Sequence, residues 1–141
     1  MGDKVLRRLP PWKINKDGSI KPGAFEPHPD DGKMSVFAAD SNSTKTVLQA
    51  CIDDRRALLG SEDIEIKQRA QNFLAKNGNS PDEFFQKGWR VCEFEVDRVP
   101  EEFSIGEPDP TGHRNISGLL EDFEANLASF VRIATIRPTL D

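Results

Sequence analysis

Three helix-start signals follow one another between Ser43 and Glu83, and each is succeeded by apolar residues at helical spacing. Ser43 suits the N-cap of a helix over 43–60, because its hydroxyl can take up a first-turn amide. Val47, Leu48, Cys51, Ile52, Leu58 and Leu59 then share one stripe, and Gly60 stands where a left-handed stop is expected. Ser61 reads as the cap of a second helix over 62–76, with Glu62 and Asp63 placed where the dipole favours anions. Its stripe is Ile66, Ala70, Phe73 and Leu74, and Asn77-Gly78 ends it. Ser80-Pro81-Asp82-Glu83 reads as a capping box with proline at the first helical position, opening a short third helix that Gly88 closes. A last helix is expected from about 119 to 132. Its stripe is Leu120, Phe123, Leu127, Phe130, Val131 and Ala134; Glu121, Asp122 and Glu124 open it and Arg132 follows at its end.

The flanking segments read as strands and turns. Val5–Leu9 is a short apolar strand stopped by Pro10-Pro11. Asp17-Gly18 suits a type I′ hairpin that would return Ile20 beside Ile14. The stretch 21–33 carries three prolines and two glycines and cannot sit inside a sheet, since proline removes a ladder donor. Within it Ala24-Phe25 forms an apolar plug, and Met34–Ala38 is another short strand. From Trp89 to Val99, Cys92, Phe94 and Val96 alternate with Glu93, Glu95 and Asp97, which predicts a strand with one buried and one wet face, in an antiparallel or edge position. A helical turn at 100–103, a short strand over 103–107 and a turn-rich loop over 108–112 follow. The expected class is α+β: a single domain with a short antiparallel or mixed sheet and three to four helices, including the C-terminal amphipathic one.

Length and charge narrow the functional classes. A chain of 141 residues is one domain's worth of polypeptide. No apolar run approaches the roughly 20 residues needed to span a bilayer, and no signal peptide follows Met1, so the expected location is the cytoplasm, with no membrane partner. The net charge of −5 makes broad nucleic-acid binding unlikely, because that needs a basic footprint. The one basic cluster is Lys4, Arg7, Arg8 and Lys13. Cys51 and Cys92 are far apart in apolar patterns and read as reduced, buried thiols.

Catalytic residue types are scarce. The tract Pro27-His28-Pro29-Asp30-Asp31 resembles the zinc-binding tract of GlcNAc-deacetylases, but no long apolar strand precedes it and His113 is the only other histidine. It reads as a turn, and neither a metal nor a cofactor is expected. Cys92 shares its face with Phe94, which argues against a Cys92–His113 nucleophile pair. Gly112-His113-Arg114-Asn115 is a dense polar group, read as a loop. No glycine loop of the nucleotide-cradling type is present.

Several short elements resemble a group of small, standalone bacterial proteins of uncharacterised activity. These are Leu6-Arg7-Arg8, Pro11-Trp12, Ala24-Phe25, Ser35-Val36, Pro108-Asp109-Pro110 and His113-Arg114-Asn115-Ile116-Ser117-Gly118. The resemblance implies a bacterial or phage-like source and a locus of the defence or toxin-immunity type, and it brings no activity. Against that pattern the helices over about 61–87 look like an insertion. Two functional readings follow. The first is a non-enzymatic interaction or regulatory protein that binds another, basic protein through Glu93, Glu95 and Asp97. The alternative is a small enzyme or ligand-binding domain with a pocket where Arg7 and Arg8 meet Ser35 and His113: arginine would hold phosphate or carboxylate, and histidine would serve as acid or base.

Overall fold

The computed structural model describes residues 3–28, 32–118 and 123–139. Among these the chain forms six strands and four helices. The strands are β1 (Lys4–Leu9), β2 (Met34–Ala38), β3 (Arg90–Glu95), β4 (Ser104–Ile105), β5 (His113–Ser117) and β6 (Thr135–Ile136). The helices are α1 (Thr44–Leu58), α2 (Ile64–Asn77), α3 (Pro81–Gln86) and α4 (Phe123–Ile133). All strands pair antiparallel in one sheet of order β4-β5-β2-β1-β3-β6, so the α+β class expected from the sequence is the class observed.

The period of two in β1 divides the core between the sheet's faces. Val5 and Leu9 belong to one cluster with Phe25, Met34, Val36, Cys92, Phe94 and Phe130. Leu6 belongs to a second cluster with Val47, Leu48, Ile52, Leu74, Phe84, Trp89 and Val91. Helices α1 to α3 therefore cover one face, while α4 and the 3-10 turn Pro22–Phe25 cover the other. Phe130 is fully buried and meets three other rings: Phe25 at 5.7 Å, Phe94 at 5.5 Å and Phe103 at 5.4 Å between centroids. Each such pair is worth about 0.5–1.5 kcal/mol beyond the area it buries.

Local signals are met at several places and displaced at others. The Ser43 side chain accepts from the Thr46 amide, and Thr46 returns the bond to the Ser43 backbone. The second cap is Asp63, not Ser61: the Asp63 carboxylate accepts from the amides of Glu65 and Ile66, while the Ser61 hydroxyl accepts from the Asp63 amide. Gly60 does not take a left-handed conformation; Gly78 (φ +109°) and Gly88 (φ +96°) do. Ser80 accepts from the Glu83 amide as expected, but the Glu83 carboxylate takes the Asn79 amide, so the box is open on one side. At Asp17-Gly18, Ile14 and Ile20 bridge as expected, but three residues lie between Asn15 and Ser19, one more than a type I′ hairpin has.

Two larger corrections concern strands. Of the antiparallel or edge position expected for the Trp89–Val99 segment, the antiparallel one is found and the edge is not: β3 pairs antiparallel with β1, and β6 pairs outside it at Cys92↔Ile136 and Glu93↔Thr135. Val91 is buried on one face of β3 and Cys92 and Phe94 on the other. The strand also stops at Glu95, and Asp97 lies in the 3-10 turn Val96–Arg98. His113 opens β5 rather than sitting in a loop. On α4, Leu127 and Phe130 are buried as expected; Leu120, Glu121 and Asp122 lie outside the described residues, as do Asp30 and Asp31.

Candidate functional site

Strands β1 and β2 pair only at Val5↔Ala38 and Leu6↔Phe37, whereas β1 and β3 pair along their whole length. Past Leu6, the Arg7 guanidinium takes over the bonding. Its Nε donates to the Ala24 carbonyl at 2.8 Å, Nη1 to the Ser35 carbonyl at 2.7 Å and Nη2 to the Glu26 carbonyl at 3.3 Å. Arg7 thus ties the proline-broken segment to the sheet. Burial, and then repulsion from Arg8, lower its pKa from the ordinary guanidinium value to about 10. Its partners are carbonyl dipoles, with no carboxylate among them.

Where Pro10 ends β1, a cleft of about 330 Å³ opens. Four cationic side chains line it: Arg7 and Arg8 from β1, Lys13 from the 3-10 turn Pro11–Lys13, and Arg55 from the last turn of α1. Among the described residues none of the four forms an ion pair, and Glu26 is the one described carboxylate on the wall. Gly23 leaves room for Lys13: a Cβ there would stand 2.9 Å from its Nζ. The opposite wall is aromatic. Trp12 is 49% exposed and meets the buried Trp89 edge-on at 5.5 Å. Trp89 Nε1 donates to Asn77 Oδ1 at 2.9 Å, and Asn77 Nδ2 donates to the Phe73 carbonyl at 3.0 Å, which fixes this wall to α2. The Arg55 guanidinium lies over the Phe73 ring, 4.2 Å from its centre, within cation–π range. Cys51 also lines the cleft, and burial pushes its thiol up, away from nucleophilic chemistry.

Of the four residues of the alternative sequence reading, Arg7 meets Ser35 through its backbone carbonyl, but their side chains do not line one pocket. Arg7 and Arg8 line this cleft; Ser35 and His113 do not. Ser35 and His113 are brought together across β2 and β5, with His113 Nε2 and Ser35 Oγ sharing a hydrogen bond of 3.1 Å. His113 Nδ1 stands 3.9 Å from Asp109 Oδ2, an ion-pair distance too long for a hydrogen bond. Asp109 Oδ1 instead accepts from the Thr111 amide and hydroxyl and from the His113 amide. These bonds, the Thr111 hydroxyl foremost, hold the Asp109 carboxyl below its ordinary value. The trio locks the 108–112 turn onto β5.

The acidic residues of the other reading are dispersed. Glu93 lies 3.6 Å from Arg137 and is mostly covered. Glu95 is registered opposite Lys4, and Arg98 shares a small depression with both. Charge of both signs therefore occupies this surface.

Arg55, Trp12 and Phe73 were missed as site residues by sequence reasoning. Lys13 carried a signal, as part of the one basic cluster; Arg55 and Phe73 looked like ordinary helix residues. No protein-family model, no curated protein and no solved structure matches the chain.

Proposed function

We propose that this chain is a ligand-binding domain that holds a small anionic ligand in the cleft at the end of β1, a regulatory rather than a catalytic role. One observation carries the reading: Arg7, Arg8, Lys13 and Arg55 converge on one cavity and, among the described residues, none of them forms an ion pair, in a chain whose net charge is −5. Cations held side by side repel one another, and a buried charge ordinarily finds a counter-charge. A bound phosphate or carboxylate would supply it, with arginine offering paired donors. The cavity lies at the lower end of the range for small-molecule sites, roughly 300–1,000 Å³.

Titration calorimetry with inorganic pyrophosphate tests this reading. Saturable binding is expected, weakened more than about tenfold by Arg8→Glu or Arg55→Glu, since a hydrogen bond to a charged group is worth about 1.5–3 kcal/mol. Absence of binding at low salt, or unchanged affinity in both variants, would overturn it.

A second reading, an accessory protein bound to another protein, is favoured by a different observation. Ile64, at the start of α2, is 80% exposed, and Leu58 and Ile66 nearby in the chain are exposed as well. Singly exposed apolar residues are common, so the weight of this reading rests on Ile64→Asp. That variant should keep its melting temperature and lose a stoichiometric partner from the host lysate; retention of the partner counts against the reading.

A further inference from the structure

The anion-binding reading leaves the aromatic wall of the cleft without a role. Trp12 stands at the mouth with half its surface in solvent, on a three-residue 3-10 turn that Pro10 and Pro11 make stiff. Beneath it lies Trp89, pinned by Asn77, so the indole of Trp12 rests on a rigid base. The ammonium of Lys76 is 5.8 Å from the Trp12 ring centre, and Arg55 lies over Phe73 close by. An exposed indole beside a row of cations is a poor arrangement for an empty surface, because the ring leaves apolar area in water. It is a good arrangement for a ligand with a flat ring at one end and negative charge at the other.

We propose that the ligand is a free nucleotide, its base stacked on Trp12 and its phosphates held by Arg8, Lys13 and Arg55. This rests on the anion-binding reading and adds the base. Stacking tolerates any base, since each has a π face, so the cleft selects the class rather than the letter. Phosphate meets guanidinium through two parallel hydrogen bonds and meets the lysine as a point charge. The cavity of about 330 Å³ is of the size that suits a mono- or diphosphate of one nucleoside.

The protein carries its own probe, because its two tryptophans, Trp12 and Trp89, both line the cleft. Tryptophan emission, excited beyond base absorption, is followed while ADP, pyrophosphate or a 5′-phosphorylated oligothymidylate is added, and calorimetry is run alongside. ADP should quench emission saturably and bind at least about tenfold more tightly than pyrophosphate, a difference that base–aromatic stacking supplies. Trp12→Ala should reduce ADP affinity to that of pyrophosphate, and Trp12→Phe should restore most of it. Pyrophosphate binding itself should be unchanged in both variants, which also shows that they are folded. Equal affinity of the wild-type protein for ADP and pyrophosphate would overturn the nucleotide inference and leave the anion reading standing. Failure of both ligands to bind would overturn both. Tighter binding of the oligonucleotide than of ADP would show that the source is a strand end, and the free-nucleotide inference would fall.

Discussion

The Arg7 guanidinium donates through Nη1 to the Ser35 carbonyl at 2.7 Å, where the β1–β2 ladder has already ended. A side chain on one strand thereby does the bonding that backbone amides do elsewhere in the sheet. The same guanidinium reaches Ala24 and Glu26, so one residue, together with the buried Phe25, braces the loop that forms one side of the cleft. Arg7→Leu strips three carbonyls of a charged donor, and a loss of about 2–4 kcal/mol is expected. Chemical denaturation measures it, and a midpoint equal to that of the wild type would show that Arg7 is not a brace.

Phe130 closes the aromatic cluster beneath the sheet, between Phe25, Phe94 and Phe103. Phe130→Ala should cost about 3–5 kcal/mol, the usual result of emptying a buried aromatic site. Against a total of roughly 5–15 kcal/mol this lowers soluble yield visibly. Thermal unfolding reads the change, and an unaltered melting temperature would contradict the packing described.

Ser80 holds the first turn of α3 through the Glu83 amide at 3.2 Å. Ser80→Ala is expected to destabilise by about 1 kcal/mol, and Ser80→Asp to restore most of it, because a carboxylate caps equally well. Glu83 bonds Asn79 rather than Ser80, so Glu83→Gln should leave the Ser80 contribution intact. A double-mutant cycle in urea distinguishes the two contacts.

Asp109 gives a test by pH. Its folded carboxyl titrates below the ordinary 3.8, chiefly through the Thr111 hydroxyl. A depressed acid contributes stability that is fully present above 3.8 and is lost as pH falls through the folded value. Thr111→Val should therefore flatten the acid limb below pH 3.8 by lowering the plateau above it, slightly because Asp109 is exposed, and leave stability at the acid end unmoved. Urea midpoints across that range check it, and an acid limb of unchanged slope would remove Asp109 from the account.

Much of the candidate site was invisible in the sequence. The cluster Lys4, Arg7, Arg8 and Lys13 could be seen as basic, but not that Arg7, on the cleft wall, would give its guanidinium to backbone carbonyls while Arg8, on the same wall, would not. That division follows from the early end of the β1–β2 ladder. Ser35 and His113 were correctly suspected of meeting, and they do so across two paired strands. Their separation from the arginine cleft depends on which face each strand residue takes.

The elements whose causes lie within a few residues could be read from the sequence alone: the Ser43 and Ser80 caps, the stops at Gly78 and Gly88, the plug at Ala24-Phe25, and the burial of Leu127 and Phe130 on α4. Capping, turn chemistry and hydrophobic period act over one or two turns of chain, so their evidence sits side by side in the sequence. The strand β6 has only two residues, Thr135 and Ile136, and no period to announce it; it exists because β3 offers it a ladder. The cleft likewise joins Arg8, Lys13, Arg55 and Trp89 from separate elements. Only the packing of α1 and α2 against the end of β1 brings their charges and rings together, because attraction and repulsion between side chains depend on distance in space and not on distance along the chain.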